Sequence, residues 1–507
     1  MEHYGIVSLL PPIIAVILAI RTKSVISSLF WGGLLGVFIL CGYNPIQVIP
    51  TYIKDYIFVQ ASDSYNTSLL VLMVFIGCFV GVLTNSGGAS VFANKVAHFI
   101  NTRCKAQLAV WLAGIIVFFT DSGNSLIIGP AFQPITDKIR VSREKLAWIL
   151  DSTSSPVCIL IPFSGWEVYI MGLMHKEFEA LALPYSDFET FLRVIPFQFY
   201  ALGTLFMIPI VAFLGYEFAA MYKAETRAVK TGELFRPGSH PARPAIDINE
   251  VHKNATSAMI LVPLLVLIIC VFGLLAPYGF PVKPVPGDVL RAALCTGFFL
   301  GAISCIIIMV KNKVCTWTEG FNMLLSGAKE YTSVLIILIF AWTLGSTCKA
   351  LGTANYIVSF CHGTVPGFAV PALLFIIGAS ISFATGSSWS TFAILIPLAV
   401  PMSVHLNAPM YASIGAVLSG GLFGDHCSPI SDTTMLSAIG AACDLIDHVK
   451  TQLPYALTVA LASIICYLLA GILENSLLAI LMIMLVFMLL LIFGKMCGKK
   501  IPNKINL

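Results

Sequence analysis

The chain has 507 residues, of which 58% are hydrophobic and only 11% charged, with a formal net charge of +4. Soluble domains carry roughly 25% charged residues, so this balance excludes a soluble globular or nucleic-acid-binding protein and leaves a multi-pass membrane protein. The 14 cysteines are scattered with no two closer than ten positions, which excludes CxxC-type metal or redox sites; they read as small apolar filler.

The first apolar run, 4–20, has no basic leader or small-residue cleavage site and reads as a retained helix. Spans follow at 24–42 and 68–84, then an amphipathic interfacial segment over 91–103, a hairpin within 106–136, a broken helix over 144–174 and a span over 192–222. The polar stretch 223–254 reads as a cytoplasmic linker. Further spans are expected at 255–276, 288–310 and 331–350, then a hairpin within 366–400, a broken helix over 411–442, and helices at 453–473 and 476–494. The fold class is thus an all-α polytopic membrane protein of about eleven spans plus two hairpins.

If both hairpins are re-entrant and residue 1 lies outside, 23 of the 29 Lys and Arg fall on one side. That asymmetry fits the positive-inside rule and puts the linker and the C-terminus in the cytoplasm, which suits a cytoplasmic (inner) membrane. The two halves also repeat. Thr120-Asp-Ser-Gly-Asn-Ser followed by Pro130 parallels Thr385-Gly-Ser-Ser-Trp-Ser followed by Pro397, and Asp151-Ser-Thr-Ser-Ser-Pro156 parallels Gly424-Asp-His-Cys-Ser-Pro429. Residues 1–222 and 255–474 are therefore expected to form two inverted repeats joined by 223–254, with 475–507 an added helix and basic tail.

Four polar segments, 120–125, 151–156, 385–391 and 424–434, interrupt apolar surroundings. Irregular backbone survives at membrane depth only where it is buried or lines a cavity, so these segments should converge. Gly420, Gly421, Gly424 and Pro429 are expected to interrupt the last of them. Carboxylates there are costly unless they serve an ion path. Asp432 and Asp425 are the first candidates, and with Asp121 they are the expected Na⁺ ligands; Asp151 is a ligand or supporting partner. Ser122, Asn124, Ser152, Thr153, Ser155, Thr385, Ser387, Ser388, Ser428, Thr433 and Thr434 supply the oxygens that hard cations take. His426 reads equally as a proton relay or a structural histidine. Glu167 is weighed as a path, solvated or gating residue, and Glu217, Lys349 and His405 as groups near membrane surfaces.

Gly424-Asp-His-Cys-Ser-Pro-Ile-Ser-Asp-Thr-Thr434 closely resembles the signature of the NhaC family of Na⁺/H⁺ antiporters, and Thr385–Thr391 and Asp151–Pro156 resemble that family's other polar motifs. The resemblance covers roughly 1–475 and implies inverted repeats, re-entrant hairpins, often dimeric assembly, and Na⁺ as a transported or coupling ion without any other cofactor. Some members exchange malate with lactate and others move amino acids.

Two functions follow: an Na⁺/H⁺ antiporter in which Na⁺ and a proton compete for buried carboxylates, or an Na⁺- or H⁺-coupled carrier of a small carboxylate or amino acid. The four segments hold no Lys or Arg, which favours a bare cation. A membrane hydrolase is set aside, since the chain has neither a GxSxG elbow nor an HExxH motif.

Overall fold

Side-chain caps open many of the helices that the apolar runs require. Asp63, Thr102, Thr120, Ser142 and Ser387 each accept a backbone N–H of the first turn, satisfying donors that would otherwise be orphaned. The structure is a computed structural model that describes residues 4–22, 24–97, 100–241, 254–280, 285–353, 356, 365–473, 481, 484–485, 487–489, 492, 495–496 and 498–502.

In chain order the first half holds α1 (Leu10–Thr22), α2 (Val25–Leu40), α3 (Pro45–Thr51), α4 (Phe58–Ser62), α5 (Ser64–Asn85), α6 (Gly88–Ala97), α7 (Arg103–Ile116), α8 (Asp121–Lys138), α9 (Arg143–Ser152), α10 (Ser155–Cys158), α11 (Gly165–Ala180), α12 (Asp187–Val194) and α13 (Phe199–Leu214). A two-residue strand β1 (Tyr216–Glu217) and α14 (Ala219–Thr231) follow. The second half holds α15 (Ala258–Leu275), α16 (Gly287–Lys311), α17 (Trp317–Glu330), α18 (Thr332–Ala350), α19 (Val370–Thr385), α20 (Ser388–His405), α21 (Met410–Cys427), α22 (Asp432–Ala441) and α23 (Leu445–Leu473), and β2 (Lys499–Lys500) pairs antiparallel with β1.

Packing follows matched pairs. In the outer layer α2 packs on α18 and α16 on α5. In the centre the second arm of each hairpin crosses to the other half, α8 onto α22 and α20 onto α11, while the first arms α7 and α19 pack on α13 and α23. The hairpin tips match in detail. Thr120 caps α8 and Ser387 caps α20, and each cap is followed by a proline pair, Pro130 with Pro134 and Pro397 with Pro401. The capped frame aligns Asp121 with Ser388, two places from the pairing with Gly386 that the motifs suggest. Gly386 instead ends α19 at φ +68, with its α-carbon against the Ile430 carbonyl, a position no side chain could share.

Several expectations change. Seven described helices are long and apolar enough to cross a bilayer, eight if α12 and α13, bent by 50°, count as one; the seven include both arms of the second hairpin, α19 and α20, while α1, α2 and the broken segments among the expected eleven are shorter helices. The span expected over 192–222 ends at Leu214, where Gly215 adopts the left-handed conformation and closes the helix. The expected linker is partly structured. Residues 223–231 belong to α14, which packs on α9 and α23, and residues 242–253 lie outside the described residues. Much of the expected helix 476–494 also lies outside them. Gly420, Gly421 and Gly424 do not interrupt α21. Gly420 and Gly424 face the α19 backbone at Phe375 and Ser382–Phe383 so closely that no side chain would fit, and the missing side chains let the two helices touch. Glu217 is buried within the protein, where Lys145 Nζ lies 2.8 Å from its carboxylate and Tyr455 donates to it.

Candidate functional site

The interruption expected at Pro429 is present. α21 stops at Cys427, Ser428 and Ser431 are extended, and α22 begins at Asp432. Ser431 occupies the capping position of α22 but makes no cap; its hydroxyl donates to Asp425 Oδ1 at 2.6 Å. Giving up a cap costs about 1 kcal/mol, which the charge-assisted bond to a carboxylate offsets. Asp425 Oδ2 accepts from Ser388 Oγ at 3.0 Å, and Ser155 Oγ stands 3.5 Å away. Asp425 is only 4% exposed. One buried carboxylate is thus enclosed by hydroxyls from the second hairpin tip and from both breaks.

The four polar segments do converge. Asn124 donates to the carbonyls of Gly114 (2.8 Å) and Thr153 (3.1 Å), tying the first hairpin tip to the first break. His426 joins the two breaks through Ser152 Oγ (3.0 Å), and its other ring nitrogen meets Tyr200 OH at 2.8 Å. Ser428 donates to Phe383 O (2.8 Å), Thr434 donates to Asp425 O (3.1 Å), and Thr433 pairs with Ser431 (3.0 Å). Thr153 and Thr385 donate back to Ile149 and Ile381 in their own helices. Ser387 caps α20, and Ser122 lies in α8 with its side chain outside the described residues.

The three expected Na⁺ carboxylates do not form one cluster. Asp432 is exposed, because the turn through Ser428–Ser431 directs it away from Asp425. It lines two adjoining cavities that share Asp432, Val334 and Trp389: one of ≈ 300 Å³ runs toward Asp121, Trp166, Glu330 and Tyr331, and one of ≈ 270 Å³ toward Thr385, Gly386 and Ile430. Asp121 is half-buried there and accepts from Trp166 Nε1 at 3.2 Å. Among the described residues no three His, Cys, Asp or Glu side chains are grouped as a metal site. Glu167 is fully buried, not solvated, and accepts from Phe163 N–H at 3.0 Å.

Three site residues escape a reading of the sequence. His448 and Gln452 on α23 reach Asp151, and Tyr200 on α13 reaches His426. The span expected from 453 leaves the first two in a loop, whereas Asp444 Oδ1 accepts from the N–H groups of Ile446 and Asp447 and starts α23 eight residues earlier. A capping Asp ahead of His448 and Gln452 at four-residue spacing was the available signal.

A sequence profile described as the Na⁺/H⁺ antiporter family matches residues 157–472. The chain belongs to the Na⁺/H⁺ antiporter family. It is 32% identical over 481 residues to an uncharacterized protein of Haemophilus influenzae, covering 92% of this chain and 90% of that one. It is also 32% identical over 157 residues to the Na⁺/H⁺ antiporter NhaC of Alkalihalophilus pseudofirmus, covering 31% and 34% of the two chains, which agrees with the resemblance carried by the Gly424–Thr434 motif. The fold is similar to that of the Alcanivorax borkumensis YdaH transporter, with TM-score 0.54 and 17% identity over 83% of this chain and 87% of that one. Family membership makes this antiporter-family chain a secondary transporter of the membrane, not an enzyme, with Na⁺ as cargo.

Proposed function

We propose that the protein exchanges Na⁺ for protons across the cytoplasmic (inner) membrane by alternating access, with both ions competing for Asp425. The observation that carries this reading is the hydroxyl enclosure of that carboxylate. A hydroxyl can both donate and accept. Ser431 and Ser388 donate to an ionised Asp425 when no cation is present. Rotated, the same hydroxyls offer lone pairs to Na⁺ bound at the carboxylate. A proton on Asp425 removes the charge that attracts the cation, so the two ligands exclude each other.

The exchanged packing of the hairpins supports two inverted repeats, 1–222 and 255–474, moving about this junction, with Asp121 and Asp432 in the approach to it. In liposomes, Asp425→Asn should abolish Na⁺-driven proton movement while the protein remains folded; normal movement would remove Asp425 from the mechanism.

A second reading draws on the Asp121–Asp432 cavity. Its size reaches the lower end for small-molecule sites. Two tryptophans, Trp166 and Trp389, stand 5.0 Å apart in its wall, and its described lining holds three carboxylates and no Lys or Arg. A coupled organic substrate bearing an ammonium group, such as an amino acid, suits this lining better than a malate-like anion. Proton movement that requires an added amino acid would favour that reading.

A further inference from the structure

Two more cavities lie along the helices that line the Asp432 cavities, at their opposite end. They hold ≈ 290 Å³ and ≈ 320 Å³ and share Glu177, Lys349 and Pro397. Three helices run in the same direction from one pair of cavities to the other. α11 passes from Trp166 to Glu177, α18 from Val334 to Lys349, and α20 from Trp389 to Pro397. Charged side chains stand in the walls at both ends, so these are polar, water-holding spaces and not gaps in apolar packing.

The partition between the two pairs is thin. On α18 the Asp432 side ends at Ile337 and the far side begins at Ala341. Four helical residues rise about 6 Å, against the roughly 30 Å apolar core of a bilayer. Leu338 and Trp342 fill that turn, and both are buried. Trp342 Nε1–H donates to the Gly172 carbonyl of α11 at 2.9 Å. A β-carbon on Gly172 would stand 3.3 Å from the Trp342 ring, so the glycine is what lets the indole close onto the α11 backbone. On the other flank Tyr169 OH donates to the Trp389 carbonyl at 2.8 Å, which ties α11 and α20 into one wall facing α18. A core tryptophan is packed on every side. Trp342 instead borders the far cavity, and one hydrogen bond, worth about 0.5–1.5 kcal/mol net, holds its polar edge. The seam also reaches the cation site, because Trp389 follows Ser388, whose hydroxyl donates to Asp425.

We propose that the seam between α18 and the α11–α20 wall is the cation's route from Asp425 to the membrane face opposite the Asp432 cavities, and that Trp342 seated on Gly172 is its gate. The identity of the ion rests on the Na⁺/H⁺ exchange reading; the position of the route does not. With the indole seated, an ion at Asp425 communicates only with the Asp432 side. With the indole swung into the far cavity, the same ion reaches the space walled by Glu177. Exchange stays coupled only while the far side is sealed whenever the Asp432 side is open, so Trp342 positions a barrier and does not itself hold the ion.

The gate is tested in proteoliposomes carrying a Na⁺ gradient, with the membrane potential clamped at zero and Na⁺ efflux and proton entry followed together. The two fluxes should stay matched in the wild type. In Trp342→Ala, Na⁺ efflux unmatched by proton entry should rise at least ~10-fold, the factor for a barrier lowered by ~1.4 kcal/mol. Trp342→Phe keeps a ring over Gly172 and should leak far less than the alanine variant. A monodisperse Trp342→Ala protein with matched fluxes overturns the gate. The route is tested without transport. A charged, membrane-impermeant thiol reagent should add label to Ser346→Cys, in the far cavity, from one face and to Val334→Cys, in the Asp432 cavities, from the other, each scored against the wild type with its native cysteines. Labelling of both from one face, or of neither, overturns the route. A wild type without Na⁺-driven proton movement removes the exchange reading, and labelling from opposite faces then still upholds the route.

Discussion

Replacing Ser431 by alanine isolates the role of the hydroxyl that forgoes its cap. The 2.6 Å bond it makes to Asp425 is short and charge-assisted, worth about 1.5–3 kcal/mol to the ionised carboxylate. The protonated carboxyl gains far less from it. Removing the donor therefore favours the protonated form, and at about 1.4 kcal/mol per pH unit the proton is held about 1–2 units further into alkali. Ser388 remains as a donor, which keeps the shift finite. The pH of half-maximal Na⁺ turnover in proteoliposomes should rise by about 1–2 units, and half-saturating Na⁺ at fixed pH should rise about 10- to 100-fold. Ser431→Thr, which keeps the hydroxyl, should stay near wild type. An alanine variant with an unmoved profile, or one displaced toward acid, refutes the proposed competition at Asp425.

Two other outcomes follow from burial. Asp432 is exposed in its cavity, so Asp432→Asn should raise half-saturating Na⁺ only a few-fold, an effect of about 1 kcal/mol that fades at high salt, with turnover at saturating Na⁺ retained. Lost turnover at saturating Na⁺ would place Asp432 inside the ion site. Arg103 pairs with Glu225, both buried, and Glu225 also accepts from Ser142 N–H at 2.8 Å. Arg103→Ala leaves that carboxylate uncompensated and should cost about 3–5 kcal/mol in detergent unfolding, whereas replacing both partners with methionine should cost much less. Equal losses in the two variants would show that the pair acts through packing rather than charge.

What could be read from the chain was what local chemistry dictates. Pro429 between Ser428 and Ser431 signals a break, and hydroxyl-rich tips ahead of paired prolines announce the hairpins, so the breaks and their convergence were legible. The different burial of Asp425 and Asp432 was not, because it depends on how four residues, Ser428–Ser431, turn the chain between them. Hydropathy also hid the first two turns of α23. Asp447, His448, Lys450 and Gln452 read as a loop, yet tertiary packing buries three of the four. The burial of Glu217 was hidden for the same reason: its partner Lys145 lies 72 positions away, beyond any local pattern. Glycines within α21 carried a real signal with the wrong meaning, since close helix approach and helix rupture draw on the same residue.

The small ribbon joining Tyr216–Glu217 to Lys499–Lys500 has a practical bearing on how this protein is handled. Ile501 N–H adds a further bond to Gly215 O at 2.8 Å, so the stretch Lys499–Ile501 is stitched to the strand that carries Lys145's partner. An affinity tag or fluorescent fusion appended close behind that stretch pulls on Glu217. Shortened or tagged versions are therefore best compared at their amino end before any loss of turnover is blamed on a distant substitution.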